Sequence, residues 1–257
     1  MLKFRTANII FGIALAVLLV FDLNGYVPPW SYIILAVLYL TVQVYGSAVL
    51  SAEFFMSVRS RGNAGSRDIA LTFDDGPIPG QTEAILDVLE SYKVPAAFFC
   101  IGNRVSQNPG LLRRIHQSGH MIGNHSYWHR PTFDLQTAGA IEKELEETDQ
   151  SIVKAIGLKP ALFRPPYGVT NPMLAKAVKR RGYKTIGWSV RSFDTVIKDG
   201  SVLMERITRS LKGGDVILLH DYSLSTLEIL PALLDHIEKV GLKIVRVDEL
   251  LNEKAYV

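Results

Sequence analysis

Cysteine is almost absent from the sequence, since Cys100 is the only one among 257 residues. No disulfide can form within the chain, so cysteine usage leaves the redox compartment open. Cys100 lies in the apolar run of residues 96–100, which predicts a buried side chain rather than a reactive thiol.

An excess of one charge sign is also missing. The chain has 28 lysines and arginines against 25 aspartates and glutamates, for a net charge of +3. So small an excess does not indicate nucleic-acid binding, and no nucleic-acid partner is predicted. The sequence contains neither an internal repeat nor a low-complexity tract, which excludes solenoid and fibrous architectures.

Charged residues are scarce, at 21% of the chain against 48% hydrophobic residues, and the mean hydropathy is +0.17. This average is slightly too apolar for a wholly soluble protein. Two apolar runs, residues 9–20 and 32–50, account for it, and the second is close to the length that a bilayer requires. Residues 1–58 are therefore predicted to form two membrane helices, with aromatic residues between them at the interface: Tyr26, Trp30 and Tyr32.

Two alternatives to this membrane hairpin stay open. The first run could be a cleaved signal peptide, although no small-x-small site closely follows it, or both runs could be buried in a soluble fold. The hairpin predicts a cell-membrane location but leaves the side of the remaining chain uncertain. Basic residues flank both ends of the hairpin, which favours the cytoplasm; if only the second run spans, the rest lies outside.

Residues 59–67 are rich in Arg, Ser and Gly and are predicted to be a linker. From residue 68 to 257 strands and helices alternate, which predicts one α/β domain. The expected strands are residues 69–73, 96–101, 121–123, 162–164, 185–188, 216–220 and 244–245. About seven strands, each followed by a helix, indicate a distorted, barrel-like (β/α) fold with parallel strands.

Two of the predicted helices carry informative patterns. Residues 137–156 place an apolar stripe toward the core, with Glu144 expected on the other side. The helix that begins at Asn171-Pro172 ends in a cluster of basic residues: Lys176, Lys179, Arg180, Arg181 and Lys184. Such a cluster is either a solvated face or a contact for lipid phosphates or an anionic glycan.

Two adjacent carboxylates, Asp74 and Asp75, end the first strand of the α/β domain, in the stretch of residues 72–77. The carboxyl ends of strands are where α/β folds usually build their sites. Two neighbouring carboxylates repel each other in a dry cleft, so we expect one to bind a metal and the other to act as a base. The alternative is an ordinary Asp-Gly turn.

His125 and His129 are four residues apart, a spacing that places both on one face of a helical turn where they can share a metal. Together with Asp75 they would complete a facial set of three ligands. Asp74 would remain as the base, and one coordination position would stay open for water. Alternatively, they are two surface histidines.

Two further segments follow predicted strands. In residues 163–168, Arg164 could hold a carboxylate in its ionised form, and the prolines could fix a backbone N–H as an oxyanion donor. His220 ends the apolar strand of residues 216–220, where an imidazolium could protonate a leaving group. The alternatives are a surface arginine on a proline-rich loop and a structural histidine.

Taken together, these motifs resemble the NodB-type polysaccharide deacetylases, the fourth carbohydrate esterase family, over about residues 67–251. The resemblance implies a distorted (β/α) barrel with Asp74 as general base and His220 as acid. It implies that Asp75, His125 and His129 bind Zn²⁺ or another divalent metal such as Co²⁺ or Ni²⁺. It further implies that Arg164 orients Asp74, that the Tyr167 backbone N–H lies in the oxyanion hole, and that the domain lies outside the cell.

The fourth motif of that family departs from the expected pattern in residues 188–195. Arg191 stands where the first aspartate of the motif is expected, and Thr195 replaces the final tryptophan. That aspartate is thought to tune the acid histidine, and Asp194 or Asp248 could replace it. A cation near His220 would lower the pKa of the imidazole.

The predicted function is metal-dependent removal of acetyl groups from an N-acetylated sugar in a peptidoglycan- or chitin-like glycan. The expected partners are this glycan and the membrane, with no protein partner implied. Alternatives are a deacylase or deformylase of a lipid-linked sugar at the cytoplasmic face, and a glycan-binding domain with an impaired site. A phosphatase built on Asp-x-Asp-Gly fits less well, because the aspartates here are adjacent and the histidine pair is left unexplained.

Overall fold

The computed structural model describes residues 2–257 and begins with two antiparallel helices. These are α1 (Phe4–Asp22) and α2 (Trp30–Ala48), and both are long and apolar enough, by length and composition, to cross a membrane. The two helices are in contact, and the Tyr39 hydroxyl of α2 donates a hydrogen bond to Asn8 of α1 at 3.0 Å. Most of their large apolar side chains are exposed, so the rest of the protein does not cover this hairpin.

The α/β domain is built on parallel strands that run in the order β5-β4-β3-β2-β1-β7-β6, with β8 paired to the start of β1. The strands are β1 (Asp68–Asp74), β2 (Ala97–Cys100), β3 (Met121–Asn124), β4 (Leu162–Phe163), β5 (Lys184–Thr185), β6 (Val190–Arg191), β7 (Val216–His220) and β8 (Lys243–Ile244). The seven-strand path forms a half-barrel, so the predicted distorted (β/α) barrel is confirmed. The short strand β6 was not predicted.

Helices cover the outer face of this half-barrel. They are α3 (Gln81–Tyr92), α4 (Gly102–Gln107), α5 (Pro109–Gln117), α6 (Ala138–Ile156), α7 (Pro172–Arg181), α8 (Gly200–Thr208), α9 (Leu224–Lys239) and α10 (Val247–Leu251). Helix α7 begins as its sequence predicts: the Asn171 side chain accepts a hydrogen bond from the N–H of Leu174 at 2.9 Å. It ends at Gly182, which has a φ of 77°.

Strand β1 is the centre of the domain, and its alternation decides which side chains reach the site. Ile69, Leu71 and Phe73 pack against the outer helices, while Ala70 packs with residues inside the half-barrel. Side chains alternate between the two faces of a strand, so Asp74 falls on the inner face at the carboxyl end of β1. Its Cα pairs with Phe99 of β2 and His220 of β7, which brings three strand ends to one place.

The chain between the hairpin and β1 is bonded to the sheet. The Arg59 N–H donates to the Thr185 carbonyl at 2.8 Å, and the Arg59 carbonyl accepts from Gly187 at 2.9 Å. Two residues on, the Arg61 guanidinium lies 2.7 Å from the fully buried Asp215 carboxylate. Part of the segment predicted as a linker therefore runs between β5 and the start of β7.

Candidate active site

The two aspartates at the end of β1 face different partners. Asp75 has a φ of 80°, so the chain turns sharply between Asp74 and Gly76. The Asp75 N–H donates to the Phe99 carbonyl at 3.1 Å, and its carbonyl accepts from Arg104 at 2.7 Å. This fixed turn separates the two carboxylates, as the sequence hypothesis of two roles requires.

Asp75, His125 and His129 form a three-residue cluster whose donor atoms all lie within 4.8 Å of one another. Asp75 Oδ1 lies 3.3 Å from Nε2 of each histidine. Ligands about 2.0–2.2 Å from a zinc ion lie at comparable separations, so the cluster fits a divalent metal. Asp75 Oδ1 is buried without a hydrogen-bond partner among the described residues, which is also typical of a metal ligand.

The histidines do not lie on a helical turn, so that part of the prediction is wrong. Residues 125–129 form an irregular loop in which Ser126 and His129 have φ values of 63° and 52°. Side chains rather than helical carbonyls satisfy the loop: Ser126 N–H donates to Asn124 Oδ1 at 3.0 Å, and His129 N–H to Ser126 Oγ at 3.1 Å. The loop brings both imidazoles to Asp75 by a route that the spacing alone did not predict.

The second ring nitrogen of His125 has a clear orienting partner. Its Nδ1 lies 2.7 Å from the Arg164 carbonyl, which can only accept, so Nδ1 carries the proton. The Nε2 lone pair therefore points toward Asp75. In metal-binding histidines, the ring nitrogen that does not bind the metal usually donates to such a carbonyl or to a carboxylate.

The charges in the cluster shift its pKa values. Burial raises the pKa of Asp75, but the neighbouring His125 outweighs this effect, so the net shift is downward. Burial and the neighbouring His125 lower the pKa of His129 to about 4. His129 is thus neutral at pH 7, the state in which an imidazole binds a metal.

Asp74 is held by the buried guanidinium of Arg164, whose Nη1 donates to Asp74 Oδ1 at 2.7 Å. The same guanidinium donates to Thr72 at 2.7 Å and to the Gly187 carbonyl at 2.9 Å, and it lies 4.2 Å from the Phe99 ring centroid. A cation fixed at so many points holds the Asp74 carboxylate in one orientation. Asp74 Oδ2 lies 3.8 Å from His125 Nε2, beside the three-residue cluster.

His220 is paired with Asp194, one of the two aspartates that the sequence left open. His220 Nδ1 lies 2.8 Å from Asp194 Oδ1, and the His220 backbone N–H donates to Asp194 Oδ2 at 2.8 Å. Burial lowers the pKa of His220, but the hydrogen bond and charge of Asp194 outweigh it, so the net shift is upward. Asp248 instead accepts a hydrogen bond from Arg246, whose Nε lies 3.0 Å from Asp248 Oδ1.

Arg191 does not take the place of the missing aspartate. It is exposed at the mouth of the cleft, where its guanidinium lies 5.5 Å from the Trp188 ring centroid and 4.6 Å from that of Phe193. The expected lowering of the His220 pKa by a nearby cation is therefore wrong, because the dominant neighbour of the imidazole is the Asp194 carboxylate.

Tyr167 forms one wall of the site. Its backbone φ is 57°. The Tyr167 hydroxyl donates to the His129 carbonyl at 3.2 Å, and the centroids of the Tyr167 and His129 rings are 4.6 Å apart. These contacts place the loop of residues 164–168 beside the cluster of Asp75, His125 and His129. The cleft that Tyr167 lines has a volume of about 610 Å³, enough for a sugar unit, and Asp75, His125, His129 and His220 lie on its walls.

Glu144 was expected on the outer side of α6 and is instead buried. Its carboxylate accepts hydrogen bonds from the N–H groups of Tyr127 and Trp128, at 3.3 and 3.1 Å. Glu144 is three residues after Ile141 and adjacent to Leu145, so it lies at the edge of the apolar stripe. Because Glu144 is charged, the hydrophobic pattern of the sequence does not indicate that it is buried. It supports the histidine loop without touching the cleft.

Comparison with known proteins identifies the family. A family model described as polysaccharide deacetylase matches residues 61–186. The peptidoglycan-N-acetylmuramic acid deacetylase PdaA of Bacillus subtilis is 35% identical over 197 residues, which cover 75% of this chain and 74% of that protein. The chain belongs to the polysaccharide deacetylase family.

Other relatives in this family extend the comparison. A peptidoglycan-N-acetylglucosamine deacetylase of Bacillus cereus is 36% identical and is matched over 89% of its length. The peptidoglycan-N-acetylglucosamine deacetylase PgdA of Listeria monocytogenes is 33% identical, but the chain spans only 40% of it. The family is thus shared with longer proteins.

Solved structures agree with the half-barrel. The Bc1960 peptidoglycan N-acetylglucosamine deacetylase has a TM-score of 0.73 at 26% identity, covering 76% of this chain and 93% of that one. A CE4 family pseudoenzyme from Bacillus anthracis has a TM-score of 0.70 at 28% identity, covering 76% and 69%. Because the fold occurs with and without activity, the residues of the cleft have to decide the function.

Proposed function

We propose that this chain is a metal-dependent hydrolase that removes acetyl groups from an N-acetylated glycan, with release of acetate and a free amine. The observation that carries the proposal is the cluster of Asp75, His125 and His129 beside a separate, arginine-bound carboxylate, Asp74. This arrangement offers three metal ligands and an independent base in one cleft. A divalent metal, with zinc as the first choice and Co²⁺ or Ni²⁺ as alternatives, would activate water and polarise the acetamide carbonyl.

The remaining residues fit the steps of amide hydrolysis. Asp74, oriented by Arg164, accepts a proton from the attacking water. The Tyr167 backbone N–H donates to the oxygen that becomes negative when the carbonyl is attacked. His220, whose pKa Asp194 raises, donates a proton to the nitrogen that leaves as the amine.

We also propose that residues 1–58 anchor this enzyme in the cell membrane, with the α/β domain of residues 68–257 beside it. The length, composition and exposed apolar surface of α1 and α2 support this proposal. The relatives named as peptidoglycan deacetylases support a domain outside the cell, and the basic flanks support the cytoplasm. A reporter fused after Val257 separates the two orientations.

The test is acetate release from N-acetylglucosamine oligomers and from peptidoglycan glycan strands by the full chain in detergent with excess zinc. We expect turnover by the wild type, none by Asp74→Asn with its metal retained, and loss of bound metal in Asp75→Ala. Metal content is measured on the purified proteins. Unchanged turnover in Asp74→Asn would refute the base assignment, and no acetate from any substrate would favour a glycan-binding domain.

A further inference from the structure

The hairpin is bonded directly to the loop that forms one wall of the active site. The Thr170 N–H donates to the Ser47 carbonyl at 3.0 Å, and the Thr170 hydroxyl lies 3.4 Å from the Gly46 carbonyl. Ser47 and Gly46 are in the last turn of α2, and Thr170 is buried three residues after Tyr167. The active site and the hairpin therefore meet at a short, ordered contact.

A second contact makes this junction rigid. The Phe54 ring packs on Gly46 so closely that a Cβ there would lie 2.2 Å from the ring. The Phe54 carbonyl accepts from the N–H of Phe4, at 2.9 Å, so the start of α1 and the end of α2 are joined at the same point. The chain that leaves the hairpin is therefore held against the end of α2, close to the Thr170 contact.

The lengths place the cleft close to a bilayer surface. Helix α2 has 19 residues, and at about 1.5 Å per residue it matches a hydrocarbon core of about 30 Å. If the hairpin spans, Ser47 lies at the membrane interface. Tyr167 is then within about 11 Å of Thr170 along the chain, and its ring contacts His129.

Apolar side chains are exposed on two segments next to the Thr170 contact with the hairpin. Leu135 is 84% exposed and Met173 is 45% exposed. Met173 is in the first turn of α7, and Leu135 follows Asp134, whose carbonyl accepts a hydrogen bond from the Asn171 side chain at 2.7 Å. Trp128, at 45% exposure, and Tyr167 are exposed at the cleft itself.

Basic groups lie on the same rim. Arg130 and Arg191 are both exposed. The Arg130 guanidinium lies 5.0 Å from the Trp128 ring centroid, and the Arg191 guanidinium lies 4.6 Å from the Phe193 ring centroid. Neither forms an ion pair with another described residue. Exposed cations next to exposed apolar side chains are the combination that a phospholipid interface or a lipid phosphate contacts.

From these observations we infer that the mouth of the cleft rests on the membrane surface, through Leu135 and Met173. The substrate is then an N-acetylated oligosaccharide joined to a membrane lipid through a phosphate or diphosphate. The inference rests on the proposed deacetylation and adds where the sugar comes from. A lipid-anchored sugar is confined to the layer in which the cleft opens, so its effective concentration there is high.

The first experiment measures depth with the full chain reconstituted in vesicles of phosphatidylethanolamine and phosphatidylglycerol. Nitroxide labels are placed on Leu135→Cys and Met173→Cys, and on the control sites Val240→Cys and Val257→Cys. Both controls are exposed beside the amino ends of β8 and β4, away from the carboxyl ends of the strands that form the cleft. The buried native Cys100 does not compete for label. We expect oxygen to relax the first two labels and a water-soluble nickel chelate to relax the controls; four labels with equal nickel accessibility would overturn the membrane contact.

The second experiment compares one N-acetylated oligosaccharide in two forms, linked to a polyprenyl diphosphate in the vesicles and free in solution. We expect kcat/KM to be at least about tenfold higher for the lipid-linked form, and Leu135→Glu to reduce this ratio about tenfold. Val240→Glu, which lies beside the amino end of β8, should leave the ratio unchanged. Equal kcat/KM for both forms would overturn the inference while leaving deacetylation intact, whereas no acetate from either form would refute the proposed function itself.

Discussion

The positive φ of Asp75 gives the two adjacent aspartates, Asp74 and Asp75, different partners. Asp74 continues the inner face of β1 and pairs with Arg164, and Asp75 turns away to the histidines. His220 depends in the same way on a single partner, Asp194, which is itself fixed by Ser192 at 2.8 Å and by Thr226. The chemistry of the cleft is thus determined by pairs of residues rather than by isolated groups.

Replacing Asp194 by Asn should move the pH profile of the reaction. The proposed acid is the protonated form of His220, and Asp194 raises the pKa of that group. Without the carboxylate the pKa falls, so the alkaline limb of kcat moves to lower pH and turnover on that side drops about tenfold or more. Asp199→Asn, at an exposed helix cap, is the control, and an unmoved alkaline limb would argue against His220 as acid.

The same pair should contribute to stability in a defined pH range. The pKa of His220 is raised, so its contribution is complete below its usual value of 6.5 and is lost as pH rises through the folded value. The pKa of Asp194 is lowered, so its contribution is complete above 3.8 and is lost as pH falls. We expect the Tm difference between wild type and Asp194→Asn to be largest between these two values; a difference independent of pH would contradict this linkage.

At the scale of the elements, strand β1 and the loop after β3 show what could be predicted from the sequence. The apolar run before Asp74 gave a correct strand because its alternation is long enough to read, and the two-residue strand β6 was missed. The gathering of Asp75, His125 and His129 was predicted, but on a helix, because spacing does not encode the positive φ of Ser126. The partner of His220 could not be chosen from spacing, because Asp194 meets it across the sheet edge.

Glu144 gives a prediction for the histidine loop. Glu144→Ala removes the acceptor of two loop N–H groups, so we expect metal affinity to fall about 10–100-fold and stability to fall about 1–3 kcal/mol. Metal titration and urea unfolding measure the two effects. Glu146→Ala, an exposed neighbour on the same helix, should change neither by a comparable amount. Metal affinity equal to wild type in Glu144→Ala would show that the loop is held by other contacts.

Strand β1 gives a second prediction at this scale. Leu71 is fully buried between the sheet and the outer helices, so Leu71→Ala should destabilise the domain by about 2–5 kcal/mol. Its neighbours cannot collapse easily into the space, because they belong to rigid strands and helices. Urea unfolding, with the exposed Val202→Ala as control, measures the change; a loss below about 1 kcal/mol would mean that the site repacks.

On the scale of the whole molecule, the hairpin and the catalytic domain are linked through two places. One is the Thr170 contact to the end of α2, and the other is the strip of residues 59–61 along the sheet. The sequence predicted a hairpin, a linker and a domain as separate units. It could not predict the contacts between them, since such contacts depend on how far apart the partners lie in space.

Removing N-terminal residues should therefore have a stepwise effect. A chain that begins at residue 57 keeps the strip along β5 and the Arg61 partner of buried Asp215, so its Tm should stay near that of the full chain. A chain that begins at residue 68 leaves this carboxylate without its cation, which costs about 1–3 kcal/mol and several degrees of Tm. Equal Tm values for both chains would show that the strip does not contribute.

The strip of residues 59–61 also has a consequence for proteolytic shedding. It occupies the gap between β5 and β7, where the half-barrel would otherwise be open, and it is the first part of the chain after the hairpin. A protease that cut within residues 59–61 would release the domain from the membrane, but it would also remove the segment that fills this gap. A shed form that still works has to be cut upstream of Val58, on the few residues nearest the lipid.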